Sequence, residues 1–267
     1  MPRRLRSTLE AWGSSKGQGH GPRNQGRRLP PVSISRSPTR IAEMFDAIAG
    51  RYDFLNHLLS AGLDRRWRRK AVVSLAFAGG ERVLDLCTGT GDLAVAARTA
   101  APKPARVIGV DLAGAMLRVG QEKLRRGAMA GAIALVHGDA VRIPLADRSV
   151  DAVTIGFGIR NIENIAAACG EIHRVLRPGG RIAILEFAIP TMPGVRAAYL
   201  WYFNRVLPLI GRIVSRHNAA YKYLPASVGA FASPDEFVKI LRQAGFTDVS
   251  ASPLSLGIVF LYTARRQ

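Results

Sequence analysis

The sequence predicts an α/β fold: a doubly wound, mostly parallel seven-stranded sheet with an N-terminal helical cap and a helical insertion before a terminal antiparallel strand pair. Three observations carry this. Short apolar runs alternate with helical or long crossover segments between residues 83 and 187, the pattern of parallel strands covered on both faces. The first run, 83–86, breaks into a turn holding Gly89 and Gly91 just before a helical segment. Acidic residues, Asp111 and Asp139, close the second and third runs, where sheets of this kind collect their ligands.

The elements follow in order. Residues 1–38 are rich in Gly, Ser, Pro and Arg without a sustained apolar period, so a disordered basic arm is expected there and a single domain over 39–267. Ile41, Met44, Phe45 and Ile48 recur at helical spacing, and a second helical segment is expected over 52–76, with Leu55, Leu58, Leu59, Leu63 and Trp67 as its apolar positions. Strands are expected at 83–86, 106–110, 133–136, 152–155 and 182–187, and helices at 92–99, 115–126 and 165–176. The last of these helices should stop at Pro178-Gly179-Gly180. The segment 190–229 breaks the rhythm with an aromatic stripe, Tyr199 to Phe203, interspersed with Arg196, Arg205 and Arg212. Such a stripe serves a pocket, a membrane interface, a homodimer seam or plain core packing. Ser233-Pro-Asp-Glu236 is a capping box that opens a helix over 237–244, and strands at 247–251 and 258–263 complete the sheet.

Composition narrows the function classes. The net charge is +19, and the first 40 residues hold nine Arg or Lys against Glu10. That surplus favours anionic partners, a membrane surface or nucleic acid. A second basic cluster, Arg65, Arg66, Arg68, Arg69 and Lys70, reads either as a phosphate or membrane patch or as a solvated helix face. Cys87 and Cys169 form no CxxC pair, so neither a disulfide framework nor a cysteine metal site is indicated. No apolar run of about 18 residues exists to span a bilayer, and a cytoplasmic protein is expected, held peripherally at the inner face of the cell membrane.

The glycine turn alone suits any nucleoside-bearing cofactor, since Gly89-Thr-Gly91-Asp-Leu-Ala94 nearly satisfies the dinucleotide fingerprint. Its neighbours discriminate. Asp85 precedes Gly89 by four residues, and Asp111 follows Gly91 by 20, at the strand end where a carboxylate meets ribose hydroxyls; Asp139 can accept from an exocyclic amine.

This arrangement resembles the class I S-adenosylmethionine-dependent methyltransferases, whose Rossmann-like sheet carries a terminal antiparallel pair. The resemblance implies S-adenosyl-L-methionine as cofactor and no metal. It brings Gly89, Thr90 and Gly91 to the methionine part, Asp111 to the ribose, Asp139 and Ala140 to the adenine, and Asp85 near the charged end. A narrower resemblance covers residues 41–264. The run from Phe45 through Tyr52-Asp53-Phe-Leu-Asn56 to Trp67-Arg68-Arg69, the segment Gly156-Phe-Gly-Ile-Arg160-Asn161, and the run from Arg174 to Glu186-Phe are similar to the signatures of the ubiquinone/menaquinone biosynthesis C-methyltransferases. Asp64 departs from them, where histidine is usual, and so does Gly156, where some members place a serine.

That family implies methyl transfer to a ring carbon of a prenylated quinol. The Cys87-Thr-Gly-Thr90 form of the turn leans toward demethylmenaquinol over a benzoquinol. A ring carbon is nucleophilic only once its neighbouring hydroxyl is deprotonated, and a guanidinium cannot be the simple base. Arg160 and Asn161 are therefore expected to hold the quinolate oxygen or a deprotonating water, with Tyr52 completing the hydrogen bonding. His57, His173 and His217 are the alternative bases; His173 falls on a helix far from the site. Two readings from other classes compete. An RNA methyltransferase would use the charge but lacks an Asn-Pro-Pro-Tyr-like motif and an RNA module, which disfavours nucleic acid as partner. A non-catalytic binder would leave the turn empty.

Overall fold

The fold is seen in a computed structural model that describes residues 36–206 and 218–267. Strands β1 (Arg82–Leu86), β2 (Arg106–Asp111), β3 (Ile133–His137), β4 (Val150–Gly156) and β5 (Leu176–Phe187) are joined by crossovers that hold α4 (Asp92–Arg98), α5 (Gly114–Arg126) and α6 (Ile165–Val175). Ahead of them lie α1 (Pro38–Ile48), α2 (Tyr52–Leu59) and α3 (Leu63–Ser74). After β5 come α7 (Pro193–Trp201), which runs on into a π-helical turn (Tyr202–Val206), α8 (Asn218–Gly229), α9 (Pro234–Gln243), β6 (Phe246–Leu254) and β7 (Val259–Arg266).

The sheet order is β3-β2-β1-β4-β5-β7-β6. β1 to β5 are parallel, and β7 pairs antiparallel with both β5 and β6. The chain winds outward from β1 to β3, then returns to place β4 on the other flank of β1. This reversal opens a crevice at the carboxyl ends of β1 and β4. Leu84, Leu86, Ile155, Ile182 and Ile184 form a core with α6 and α9 on one face, while Val83, Leu93, Ala94 and Leu185 pack with Trp67 and Leu75 on the other. Close packing fixes two glycines. A Cβ at Gly109 would stand 2.6 Å from Leu135 Cδ2 and 2.8 Å from Thr88 Oγ1, and one at Gly158 would meet Cys87 Cβ at 2.4 Å.

Three boundaries differ from expectation. The 52–76 helix is two helices, because Ala61 and Gly62 take positive φ (49° and 75°) and turn the chain between α2 and α3. The helix expected to end at 176 hands over directly to β5. Pro178-Gly179-Gly180 loops out within that strand, so the register with β4 jumps from Val150–Leu176 to Ala152–Arg181. The terminal strands run longer than the apolar pattern indicated, with an irregularity between Thr247 and Ser250 where Asp248 has φ 50°. The capping box forms as read, Ser233 and Glu236 bonding each other's backbone N–H.

Candidate active site

The crevice is built around the turn after β1. Cys87, Gly89 and Gly91 all take positive φ (55°, 56° and 83°), a conformation that glycine adopts without a Cβ penalty. The Asp111 carboxylate, at the end of β2, accepts from Gly89 N–H at 2.7 Å and Ala113 N–H at 2.8 Å. It thereby ties the turn to the next strand, and each oxygen keeps a lone pair for a ligand. Burial pushes its pKa up, against the pull of those N–H bonds. Asp85 lies beneath the turn, 1% exposed, accepting from Thr88 Oγ1 at 2.6 Å and Thr154 Oγ1 at 2.7 Å. Desolvation pushes its pKa up to about 6, although both hydroxyls favour the charged form.

Two cavities meet here. The smaller, about 150 Å³, is walled by Gly89, Asp111, Asp139, Ala140 and Asn161, with Val110, Leu112, Met116 and Ile162 as apolar surfaces. Carboxylates at two strand ends beside an apolar slot fit a ribose diol, an exocyclic amine and a flat base, the parts of S-adenosylmethionine. Asp85, Thr90 and Gly91 stand behind this wall instead of on it. The larger cavity, about 430 Å³, is mostly apolar and lies under α2, α3 and the insertion, with Leu59, Trp67, Phe187, Tyr199, Tyr202 and Phe203 on its walls. Phe45, Tyr52 and Phe157 line both.

Arg160 and Asn161 occupy the short 3-10 turn after β4, and both are buried. Arg160 Nη1 donates to Glu186 Oε1 at 2.6 Å and to the Phe157 carbonyl, and its Nε donates to Ser227 Oγ at 3.3 Å. Glu186 is fully buried, so the two charges satisfy one another. Asn161 Oδ1 accepts from Tyr223 Oη at 3.0 Å. Tyr52 lies in the field of Arg160; its burial raises the phenol pKa beyond what Asn56 and the nearby arginines offset, so it stays a donor. Trp67 is pinned by its Nε1–H to Ser255 Oγ at 2.9 Å, and its ring meets Phe157 and Phe187 edge-on at 5.9 and 6.2 Å.

Sequence reasoning assigned no role to Glu186, Ser227 or Tyr223. Glu186 lies inside the family-like run from Arg174 to Phe187. The other two carry no signal beyond a four-residue spacing, which places them on one helix face.

A charged chain ties the helical cap to the cofactor turn. Thr90 Oγ1 donates to Asp53, whose other oxygen takes Lys123 Nζ at 2.8 Å; Lys123 also reaches Asp92 at 2.7 Å. Arg68 bridges Asp92 at 3.0 Å and Asp64 at 2.6 Å, and Asp64 meets His57 Nδ1 at 2.7 Å. His57, Asp64 and Asp92 form the one grouping of three metal-ligand side chains among the described residues, and the Arg68 guanidinium lies against both carboxylates as their cation. Asp64, where the signature has histidine, is thus an anion shared by His57, Arg68 and Ser60. His173 packs edge-on against Phe246 at 5.3 Å, away from both cavities, and His217 lies outside the described residues.

Comparison with known proteins gives concordant matches. A model of the ubiE/COQ5 methyltransferase family matches residues 34–266. The ubiquinone/menaquinone biosynthesis C-methyltransferase UbiE of Geotalea daltonii is 43% identical over 235 residues, 87% of this chain and 99% of that protein. The demethylmenaquinone methyltransferase of Bacteroides fragilis is 37% identical over 237 residues, 89% of this chain and 96% of that one. Among solved structures, an S-adenosylmethionine-dependent methyltransferase from Aquifex aeolicus superposes with a TM-score of 0.56 at 18% identity, covering 86% of this chain and 99% of its own. That likeness concerns the fold alone.

Proposed function

The chain belongs to the ubiE/COQ5 methyltransferase family and is an S-adenosylmethionine-dependent C-methyltransferase of quinone synthesis; we propose that its acceptor is demethylmenaquinol and that Arg160, Asn161 and Tyr52 hold the reacting oxygen. The observation that carries this reading is the aromatic cavity adjoining the cofactor crevice, with Arg160 and Arg68 as buried cations on its wall, Arg68 engaged by Asp64 and Asp92 and Arg160 beside Asn161. The Trp67, Phe157 and Phe187 rings, with Phe157 and Phe187 stacked at 4.5 Å, offer flat apolar surface suited to a fused bicyclic quinol. A benzoquinol remains the second acceptor, since one relative is named for both quinones. An RNA substrate would leave this cavity without an occupant.

S-adenosylmethionine supplies an electrophilic methyl group on a sulfonium centre. In this reading Gly89 and its neighbours in the turn face the methionine part, with Thr90, Gly91 and Asp85 shaping the turn from behind. Asp111 takes the ribose hydroxyls, and Asp139 and Ala140 meet the adenine. Arg160 and Asn161 donate to the quinol oxygen beside the carbon that accepts the methyl group, which lowers the cost of ionising it in a water-poor cavity. Tyr52, at the border of the two cavities, donates to the same oxygen or to a water beside it. The bound cofactor would supply the methyl group and keep the sulfur's bonding pair, while a water beside Tyr52 takes the quinol hydroxyl proton and the ring proton returns to the oxygen as aromaticity is restored.

Peripheral membrane contact belongs to the same proposal. No helix among the described residues is long and apolar enough to cross a membrane. Phe54 and Leu58 on α2, and Met192 and Trp201 at the ends of α7, are exposed large apolar side chains, on helices that cover the cavity. Arg65, Arg66, Arg69, Lys70 and Arg196 are exposed on the same cap and insertion. This combination suits an anionic lipid surface from which a prenyl-tailed substrate is drawn. The test is methylation by the full chain of reduced short-tailed demethylmenaquinol, its benzoquinol analogue and total RNA, beside co-sedimentation with phosphatidylglycerol or phosphatidylcholine vesicles. Preferred methylation of the naphthoquinol and selective sedimentation with the anionic vesicles are expected. Methylated RNA with inert quinols would overturn the acceptor, and self-association without vesicle binding would replace the membrane surface by a homodimer seam.

A further inference from the structure

Helix α8 brings two hydroxyls, Tyr223 and Ser227, to two neighbouring residues of the reaction site. Four residues apart, they occupy one face of the helix. Tyr223 Oη donates to Asn161 Oδ1 at 3.0 Å; Ser227 Oγ accepts from Arg160 Nε at 3.3 Å and donates to the Leu224 carbonyl at 3.0 Å. Ser227 is fully buried and Asn161 is 9% exposed, so each bond is shielded from competing water.

Between these contacts, Tyr223 and Leu224 line the acceptor cavity themselves. Just past the helix, the Ala230 carbonyl accepts from Arg36 at 2.9 Å, and Arg36 lines the cofactor cavity. Helix α8 therefore touches the acceptor space, the catalytic pair and the edge of the cofactor space at once.

The consequence for Asn161 is directional. An amide has one acceptor end and one donor end, and Tyr223 occupies the acceptor end. The phenol is held protonated by burial, so it is a donor, and the Asn161 N–H2 end is the one left for the acceptor oxygen. Ser227 similarly takes the Arg160 Nε–H, while Glu186 and Phe157 take Nη1, so the guanidinium plane is set from two sides.

We propose that Tyr223 and Ser227 are positioning residues, and that α8 is the element that orients the Asn161 amide and the Arg160 guanidinium toward the quinol oxygen. This rests on the reading of Arg160 and Asn161 as the acceptor-binding pair. It accounts for a helix that shapes the acceptor cavity also setting Arg160 on the wall of that cavity and Asn161 on the adjoining wall of the cofactor cavity, where the two reacting groups must be aligned.

The test uses the purified full chain with reduced short-tailed demethylmenaquinol and S-adenosylmethionine, in Tyr223→Phe, Ser227→Ala, Asn161→Ala and the Tyr223→Phe/Asn161→Ala pair. Tyr223→Phe is expected to lower kcat about tenfold, the upper range for one shielded hydrogen bond, with cofactor Kd within about threefold of the parent and a fall in melting temperature of only a few degrees for the acceptor left unpaired. The acid limb of its kcat profile should move up by about one pH unit, since a misaligned amide no longer favours the ionised quinol. In the Asn161→Ala background the same substitution should cost nothing further. Ser227→Ala, acting through Arg160, should lower kcat about threefold, and it gives a second test should Tyr223→Phe fold poorly. Losses from Tyr223→Phe and Asn161→Ala that multiply independently, or full turnover in both Tyr223→Phe and Ser227→Ala, would overturn the proposal. Full turnover in Asn161→Ala and in Arg160→Ala would instead sink the underlying reading of the acceptor pair.

Discussion

Replacing Arg160 by alanine should abolish most turnover for two reasons that can be separated. The guanidinium is 6% exposed, and its partner Glu186 is fully buried, 2.6 Å away. Removing the cation strands a carboxylate in the core, which costs about 3–5 kcal/mol. For a domain of this size that is a fall in Tm of roughly 6–20 °C. Independently, in the role proposed for Arg160, the quinol oxygen loses a charged donor, worth about 10²–10³ in kcat when charge develops in a dry site. The Arg160→Ala/Glu186→Gln pair removes the stranded charge while keeping a carbonyl to accept from Phe187 N–H, a bond of 2.9 Å in the parent. The glutamine's N–H2 end then meets the backbone N–H at position 160, which donates to Glu186 Oε2 at 3.2 Å in the parent, so the pair should recover part of the lost Tm and none of the lost turnover. Arg160 does not line the cofactor cavity, so calorimetry should give S-adenosylmethionine affinities within about threefold of the parent in every variant that folds. Turnover returning along with stability in the pair would make Arg160 a counter-ion for Glu186 and nothing more. Cofactor affinity falling in step with kcat would refute the assignment from the other side.

Asp111→Asn should weaken S-adenosylmethionine by about 10²-fold or more, because the amide turns an N–H2 toward Gly89 or Ala113 N–H as well as losing a charged acceptor; titration calorimetry reads this directly. Asp85 should make stability depend on pH. Its folded pKa of about 6 lies above the usual 3.8, so the native state holds that proton more tightly. The contribution is full below about 3.8 and is lost as pH rises through 6, about 3 kcal/mol in all. Urea titrations from pH 4 to 7 should show this loss, and Asp85→Asn should remove it. Gly109→Ala should cost about 1–3 kcal/mol, since its methyl would stand 2.6 Å from Leu135 and 2.8 Å from the hydroxyl that holds Asp85; a chemical denaturation curve superposing on the parent would contradict this.

The sheet was legible because its strands are apolar on both faces and its glycines punctuate them, so period and turn chemistry agreed. Boundaries slipped where backbone conformation, invisible to hydropathy, takes over: Ala61 and Gly62 turn left-handed inside an apolar helical pattern, and Pro178-Gly179-Gly180 is absorbed as a loop within β5. The strand ends pointed to Asp111 and Asp139 and a family motif to Arg160 and Asn161, and these four line the two cavities. Asp85 was placed by resemblance near the charged end of the cofactor; the structure puts it one layer lower, holding two threonines. Tyr223 and Ser227 escaped because their partners stand 62 and 67 residues away, and no local pattern in one sequence encodes such a meeting.

Phe45, Tyr52 and Phe157 line both cavities and so stand between them. For inhibitor design, this makes the two spaces addressable by one molecule. An adenosine-like fragment joined to a naphthol by a short linker would pass beside Tyr52, with the second fragment held at an effective concentration near the millimolar range. Its selectivity would come from the acceptor half, because the cofactor half belongs to a fold found well beyond this family. The span across those three shared rings, more than the volume of either chamber, sets the linker length such a compound needs.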